Sequence, residues 1–376
     1  MNSIYIHIPF CLKKCLYCDF LSVPYLEDSA HCCIDTIVKE ASCIHKDMLF
    51  DTLYIGGGTP TVLHKELVDE LLKGVFSIAR FKKGYEATIE ANPETVDSEK
   101  LDNLIFRGIN RISLGVQSFK DHELFELGRI HSSSKAKEAF NKARKAGFQN
   151  INIDLIFGIP GQTLASWIET LSEAVAIGPT HISTYCLTVE FETLLYTKVK
   201  QGQTSLTDDE ELLQMYEAAI NLLESYGFVH YEISNFALPG FACRHNMNYW
   251  NRGTYYGLGP GAHSFVKNQR FHNTKNILKY IRDSKVGIFY PEALEMITDK
   301  EALHETIFLG LRKAEGINIK NVKRQYGIDF NKRYEEQIAE LLEAELIEMT
   351  GTHIRLTRKG LFLSNEVFLR LFFEEF

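Results

Sequence analysis

Short runs of β-branched and apolar residues alternate with longer stretches of helical period through the first half of the chain. Ser3–Ile8, Thr52–Ile55, Glu86–Glu90, Arg111–Val116, Asn150–Ile156 and His181–Leu187 read as strands. Between them, Lys65–Ala79, Ser98–Phe106, Ser134–Ala146 and Leu164–Ala176 read as amphipathic helices, as does the Asp28–His45 region. Alternation sustained this long implies parallel strands joined by right-handed crossovers. Six such units predict an α/β fold, a partial (β/α)6 barrel in place of a complete eight-fold one.

Polar or irregular residues recur where these strands end. Cys11–Cys18 follow the first strand, Gly56–Pro60 the second and Glu90–Pro93 the third; Gln117 follows the fourth, and Asp154 lies late in the fifth. In a parallel barrel those ends converge on one face, where active sites are built. The pattern predicts a single site.

Beyond the Asp208–Ser225 helix the period is lost in an aromatic and glycine-rich stretch, Tyr226–Phe265. From about Asp299 helices return, at Glu301–Leu311, Lys320–Tyr326 and Asn331–Ala344, followed by a hairpin around Gly351 and a last helix from Leu361. Three helices and a hairpin resemble a winged-helix module. The expected organisation is a barrel over 1–225, an aromatic segment over 226–295 and a winged-helix-like C-terminal domain over 296–376.

Composition narrows the function classes. With 376 residues, 45% hydrophobic and 24% charged, the chain has the profile of an ordinary globular protein. A net charge of −8 argues against nucleic acid as the main partner. No run has the apolar length of a membrane span, and Met1–Phe10 lacks the parts of a signal peptide, so a cytoplasmic protein is expected. Eight cysteines in a chain this long do not suggest a disulfide framework.

Three of them stand in one short loop, Cys11-x-x-x-Cys15-x-x-Cys18. A [4Fe-4S] cubane needs a ligand on each of four irons, so three thiolates leave one iron open. Zinc is the rival, but a closed zinc site wants four ligands with paired spacings. Unrelated core cysteines are the plain alternative, against which their crowding speaks. The Gly56–Gly58 run lets backbone approach a ligand closely and offers N–H groups, or else makes a tight turn. Glu90, Gln117 and Asp154 are polar residues at the ends of apolar strands, where burial without a partner is costly.

Tyr5-Ile-His-Ile-Pro-Phe-Cys11 and Cys15-x-Tyr17-Cys18-Asp19-Phe20 resemble the opening of radical SAM enzymes, which bind S-adenosylmethionine (SAM). More narrowly they resemble the family of oxygen-independent coproporphyrinogen III oxidases and the haem chaperone HemW. The likeness continues through Gly56-Gly57-Gly58-Thr59-Pro60-Thr61, Glu90-Ala91-Asn92-Pro93-Glu94, Leu127-Gly128-Arg129-x-His131 and His245-Asn246-x-x-Tyr249-Trp250. It implies a cluster on Cys11, Cys15 and Cys18, with SAM at the fourth iron. It further implies that Gly57, Gly58 and Thr59 meet the SAM amino and carboxylate groups. Glu90 and Asp154 would take its hydroxyl or ammonium groups, Arg129 would lie near a carboxylate, and Tyr5, Tyr17 and Gln117 would flank the cofactor. It assigns no catalytic residue.

Two departures favour the chaperone branch. The oxidases carry a fourth cysteine where this chain has Phe20, and an extension before the loop for which Cys11 leaves no room. The expected function is a radical-SAM-type haem chaperone, with haem, an acceptor protein and an electron donor such as a flavodoxin or ferredoxin as partners. The alternative is a SAM-dependent coproporphyrinogen III oxidase. Histidine is a common axial ligand to haem iron, so His245 is the candidate, with Cys243 second. Glu190-Phe191-Glu192-Thr193 stands where the family usually has Glu-Pro-Gly-Thr, which implies a different turn.

Overall fold

Alternate residues of the early strands face two different media. In β1 (Asn2–Ile8), Ile4, Ile6 and Ile8 are fully buried in the apolar core that they share with Ile34 and Ile37 of the helix Glu27–Ala41. Each such side chain contributes roughly 1.5–3 kcal/mol by leaving water. Ser3, Tyr5 and His7 point the other way, as the period of two requires. The same alternation runs through β2 (Leu49–Gly57), β3 (Arg80–Ala91), β4 (Arg111–Gln117), β5 (Asn150–Phe157) and β6 (His181–Cys186).

Strand register stacks the polar set into rows. His7 lies beside Gly56, Glu90 beside Ser113, and Asn152 beside His181. Hydrogen bonds from Thr52 to Ser3, Tyr54 to Glu90 and Ser113 to Asp154 cross between strands on this face. The lumen of the partial barrel is polar and its outer wall apolar. The computed structural model describes every residue except 46, 286, 288, 290 and 373–376.

Residues 226–295 are woven into both margins of the same sheet. β7 (Val229–Glu232) and β8 (Asn235–Ala237) pair antiparallel beyond β6. β9 (Thr254–Leu258) pairs with the free side of β1 in parallel, so the parallel run has seven strands among the described residues, one more than the periodicity indicated. β10 (His263–Val266), β11 (Gln269–His272) and β12 (Ala293–Met296) follow antiparallel. The full order is β12-β11-β10-β9-β1-β2-β3-β4-β5-β6-β8-β7, an open sheet. Glycine and aromatic residues hid β9 because its burial is not strictly alternating.

The C-terminal part starts at a capping box in which Thr298 and Glu301 satisfy each other's backbone at the head of the helix Asp299–Leu311. A three-stranded sheet, Ile317–Asn318, His353–Leu356 and Ile347–Thr350, packs with short helices. The helix expected over Asn331–Ala344 is instead two, Phe330–Arg333 and Glu335–Glu343. Tyr334 breaks it at φ −114°, ψ 31°, turning its ring into the core beside Phe330 at 4.7 Å. Among the described residues no helix is long and apolar enough to cross a membrane.

Candidate functional site

β1 delivers the chain directly into the cysteine loop, which folds back along the C-terminal ends of the strands. Val23 and Tyr25 donate to the carbonyls of Pro9 and Cys11, pinning the loop's far side. Leu16 donates to Leu127 O, and Leu195 donates to Leu16 O. Cys11, Cys15 and Cys18 are all free and half-buried. Burial pushes the Cys11 thiol up and the Cys18 thiol to about 11, so metal binding must displace protons from both. Cys11 Sγ lies 3.6 Å from Thr59 Oγ1, and Arg129 Nη1 donates to Cys15 Sγ at 3.3 Å.

The motifs named above close into one network around that loop. Asn92 donates to Thr59 and accepts from Arg129 Nη2 at 2.6 Å, while the same nitrogen donates to Gly115 O. His131 Nδ1 lies 3.2 Å from Glu94 Oε2, and its Nε2 faces Val116 O at 3.1 Å. Arg129 therefore holds a cluster-loop cysteine and has no carboxylate ion pair among the described residues. Tyr17 packs on Leu127 and Ile156, and burial raises its hydroxyl pKa.

Glu90 and Asp154 face the lumen, half-buried. Glu90 accepts from Tyr54 OH at 2.8 Å and from Gly57 N at 3.2 Å, and burial raises its pKa to about 7. Asp154 accepts from Ser113 and Asn152, and burial raises its carboxyl as well. A bound cation would stabilise both carboxylates. Gln117 occupies left-handed backbone at φ 67°, next to a bulge in the β4–β5 pairing. Such a conformation in a non-glycine residue costs energy and turns its side chain off the strand's alternation.

The glycine run brings two stretches of this chain close together. Gly57 N–H goes to Glu90, Gly58 N–H to Ile8 O and Thr59 N–H to Phe10 O. These three N–H groups are taken up by the chain itself. What the glycines provide is closeness: a Cβ on Gly58 would sit 2.6 Å from Phe10 O and 3.0 Å from Cys11 Sγ. His7, which the sequence left unassigned, packs on Gly57 and joins Tyr5 OH and Leu21 O. Its signal was present: it stands two residues after Tyr5, on the same face of the strand.

His245 and Cys243 lie at the opposite end of the barrel. They head the helix Arg244–Trp250, which plugs the N-terminal ends of the strands. Glu86 accepts from the backbone of Arg244 and His245, and Asn248 donates to Ser3. His245 is 1% exposed; its Nδ1 faces Thr52 Oγ1 at 2.8 Å and its Nε2 Tyr249 OH at 2.9 Å. Both ring nitrogens are engaged. Cys243 has no exposed surface, and burial raises its thiol to about 12. Tyr249 and Trp250, further along the helix, reach a cavity beside the cysteine loop.

Residues 5–174 match the radical SAM superfamily, and residues 297–363 match the HemN C-terminal domain. The heme chaperone HemW of Lactococcus lactis is 34% identical over 374 residues, covering 100% of this chain and 98% of that protein. The heme chaperone HemW of Bacillus subtilis is 37% identical over 378 residues, covering 98% of each. The chain belongs to the heme chaperone HemW family. Its fold is also that of HemN, the coproporphyrinogen III oxidase of Escherichia coli. That structure superposes with a TM-score of 0.86 at 23% identity, over 98% of this chain and 89% of that one.

Radical SAM membership implies a [4Fe-4S] cluster and SAM, and the side chains present fit both. Three thiols leave one short loop, and Arg129 Nε is buried with no hydrogen-bond partner among the described residues. The carboxylates of Glu90 and Asp154 face the lumen. Gly58→Ala tests the cradle. The added methyl must move the cysteine-bearing backbone, since a carbonyl oxygen 2.6 Å away cannot rotate aside. Overpacking of this kind costs about 1–3 kcal/mol. The variant is expected to fold yet take up much less iron and sulfide per chain than the parent on anaerobic reconstitution; parental loading would refute the role given to Gly58.

Proposed function

We propose that this protein binds haem and passes it to an acceptor protein, and that it carries a [4Fe-4S] cluster on Cys11, Cys15 and Cys18 with SAM at the open iron. The observation that carries the proposal is the end-to-end likeness to proteins named heme chaperone HemW, at 34% and 37% identity. Phe20 supports the same branch, since a fourth cysteine is absent where the oxidases place one. Eight free cysteines suit a reducing, cytoplasmic setting.

When bound, the cluster supplies an electron and an iron able to ligate SAM. The chain's own part is positional. Arg129 fixes Cys15 and keeps a buried Nε that has no hydrogen-bond partner among the described residues, a donor suited to a carboxylate. Glu90 and Asp154 give the lumen negative charge for an ammonium or sulfonium group. Tyr54 and Gly57 hold the Glu90 carboxylate in place, and Ser113 and Asn152 hold that of Asp154. An electron donor such as a flavodoxin or ferredoxin would serve the cluster.

Two incubations separate the proposal from oxidase chemistry. Reconstituted protein given haem anaerobically is expected to develop a Soret band of ligated haem and to lose it to an added apo-haemoprotein. The same protein given coproporphyrinogen III, SAM and reductant is expected to leave the porphyrinogen unchanged. SAM-dependent conversion of the porphyrinogen without haem binding would overturn the chaperone assignment.

A further inference from the structure

A cavity of about 700 Å³ opens between the cysteine loop and the β9–β11 edge of the sheet. That is the size of a cofactor pocket. Lys14, Asp19, Phe20, Leu21 and Ser22 of the loop form one side. Tyr249, Trp250, Tyr255 and Phe265 form an aromatic side suited to a flat, apolar ring system. The charged lining is Lys14, Arg252, Arg270 and Lys275 against Asp19 and Glu305, four cations to two carboxylates, in a chain whose net charge is −8. A planar apolar dianion matches such a lining.

Two histidines line the cavity, and their surroundings differ. His7 is committed: one ring nitrogen faces Tyr5 OH at 3.1 Å and the other Leu21 O at 2.9 Å. His263 is exposed, and its ring makes no hydrogen bond among the described residues. The antiparallel register of β10 and β11 sets it opposite His272, with ring centroids 4.9 Å apart. His272 in turn places Nδ1 on Asn273 O at 3.0 Å. Lys275 has no ion pair among the described residues, whereas Arg252 and Arg270 share Glu305 and both lie over the Phe265 ring, at 4.7 and 5.8 Å.

We propose that haem occupies this cavity, with His263 as its axial ligand and Lys275 and Arg270 receiving the propionates. The proposal rests on the haem-binding function above and gives it a location. It also divides the labour of the His245–Trp250 motif. Tyr249 and Trp250 are walls of the haem cavity, and His245 is a positioning residue that anchors Tyr249 from behind. Haem would then lie against the cysteine loop, held by a ligand that is itself exposed, so that an acceptor can displace His263.

The test uses full-length reconstituted protein titrated with haem, read by absorbance and by electron paramagnetic resonance. The parent is expected to show a histidine-ligated signature. His263→Ala is expected to lose it and to bind about 10–100-fold more weakly, while its cluster spectrum and melting temperature stay parental. Added imidazole should restore the ligated signature, which a merely structural role would not allow. The double variant K275Q/R270Q should keep the ligand signature but bind more weakly, with a shallower dependence on salt. If His263→Ala keeps the parental haem spectrum, the assignment is wrong and haem binding stands. If the parent binds no haem, the function and the site fall together.

Discussion

Single replacement of Cys11, Cys15 or Cys18 by alanine is expected to abolish the [4Fe-4S] cluster, whereas replacement of Cys32, Cys33 or Cys43 leaves it intact. Each cubane iron needs one outside ligand, and with SAM at one iron the protein must supply the other three. The other five cysteines lie outside the loop. Cys32 and Cys33 lie on the helix Glu27–Ala41, Cys33 with no exposed surface, and Cys43 follows that helix on the exterior. Cys186 ends β6 and Cys243 is sealed at the far end of the barrel. Because Arg129 and Thr59 address Cys15 and Cys11 individually, neither thiol can be replaced by a neighbour without breaking that network. Iron and sulfide per chain, with Mössbauer spectra, give the readout. A Cys15→Ala protein that still assembled a full cubane would end the assignment.

The strand–helix order was legible because each early strand pairs an apolar outer face with helices whose period is equally plain. The site was legible where residue type alone implies chemistry, as with three crowded cysteines. Its polar interior was less so. Ser3, Thr52, Glu86, Arg111 and Asn152 look like strand ends or interruptions in sequence, but register stacks them as the barrel's inner lining. Periodicity says that alternate residues share a face, and it is silent on whether that face meets water, core or cofactor. For the glycine run, composition reveals close approach but not that the chain's own cysteine strand is one partner of it. β9 was hidden because its parallel partner, β1, stands some 250 residues earlier in the chain, and the His263 hairpin is built on β9.

His245→Ala is expected to cost about 3–5 kcal/mol of folding stability and to leave the ligand signature of bound haem unchanged. The imidazole is buried between Thr52 Oγ1 and Tyr249 OH and packs on the Tyr54 ring at a centroid distance of 5.0 Å. Its removal strands the buried Tyr249 hydroxyl, takes from Thr52 one of two partners, the bond to Ser3 remaining, and opens a void; the terms add because the plug helix is fixed by Glu86 and Asn248 and cannot collapse inward. The loss should depend on pH in a defined direction. Burial, and then the nearby Arg111 guanidinium, lower the His245 pKa from the ordinary 6.5 to about 3. Between those values the unfolded chain binds a proton that the folded chain excludes. Stability from this residue is therefore full above pH 6.5 and declines as pH falls toward 3, by about 1.4 kcal/mol per unit. The gap between parent and variant, measured by urea unfolding, should be widest at neutral pH and narrow on acidification. Other buried histidines titrate alike in both proteins and cancel in that difference. A gap that stays constant with pH would mean that the folded protein lets His245 take up its proton as readily as the unfolded chain does. A haem spectrum that loses its histidine ligand in His245→Ala, but not in His263→Ala, would mean that the plug helix opens far enough to present His245 to iron.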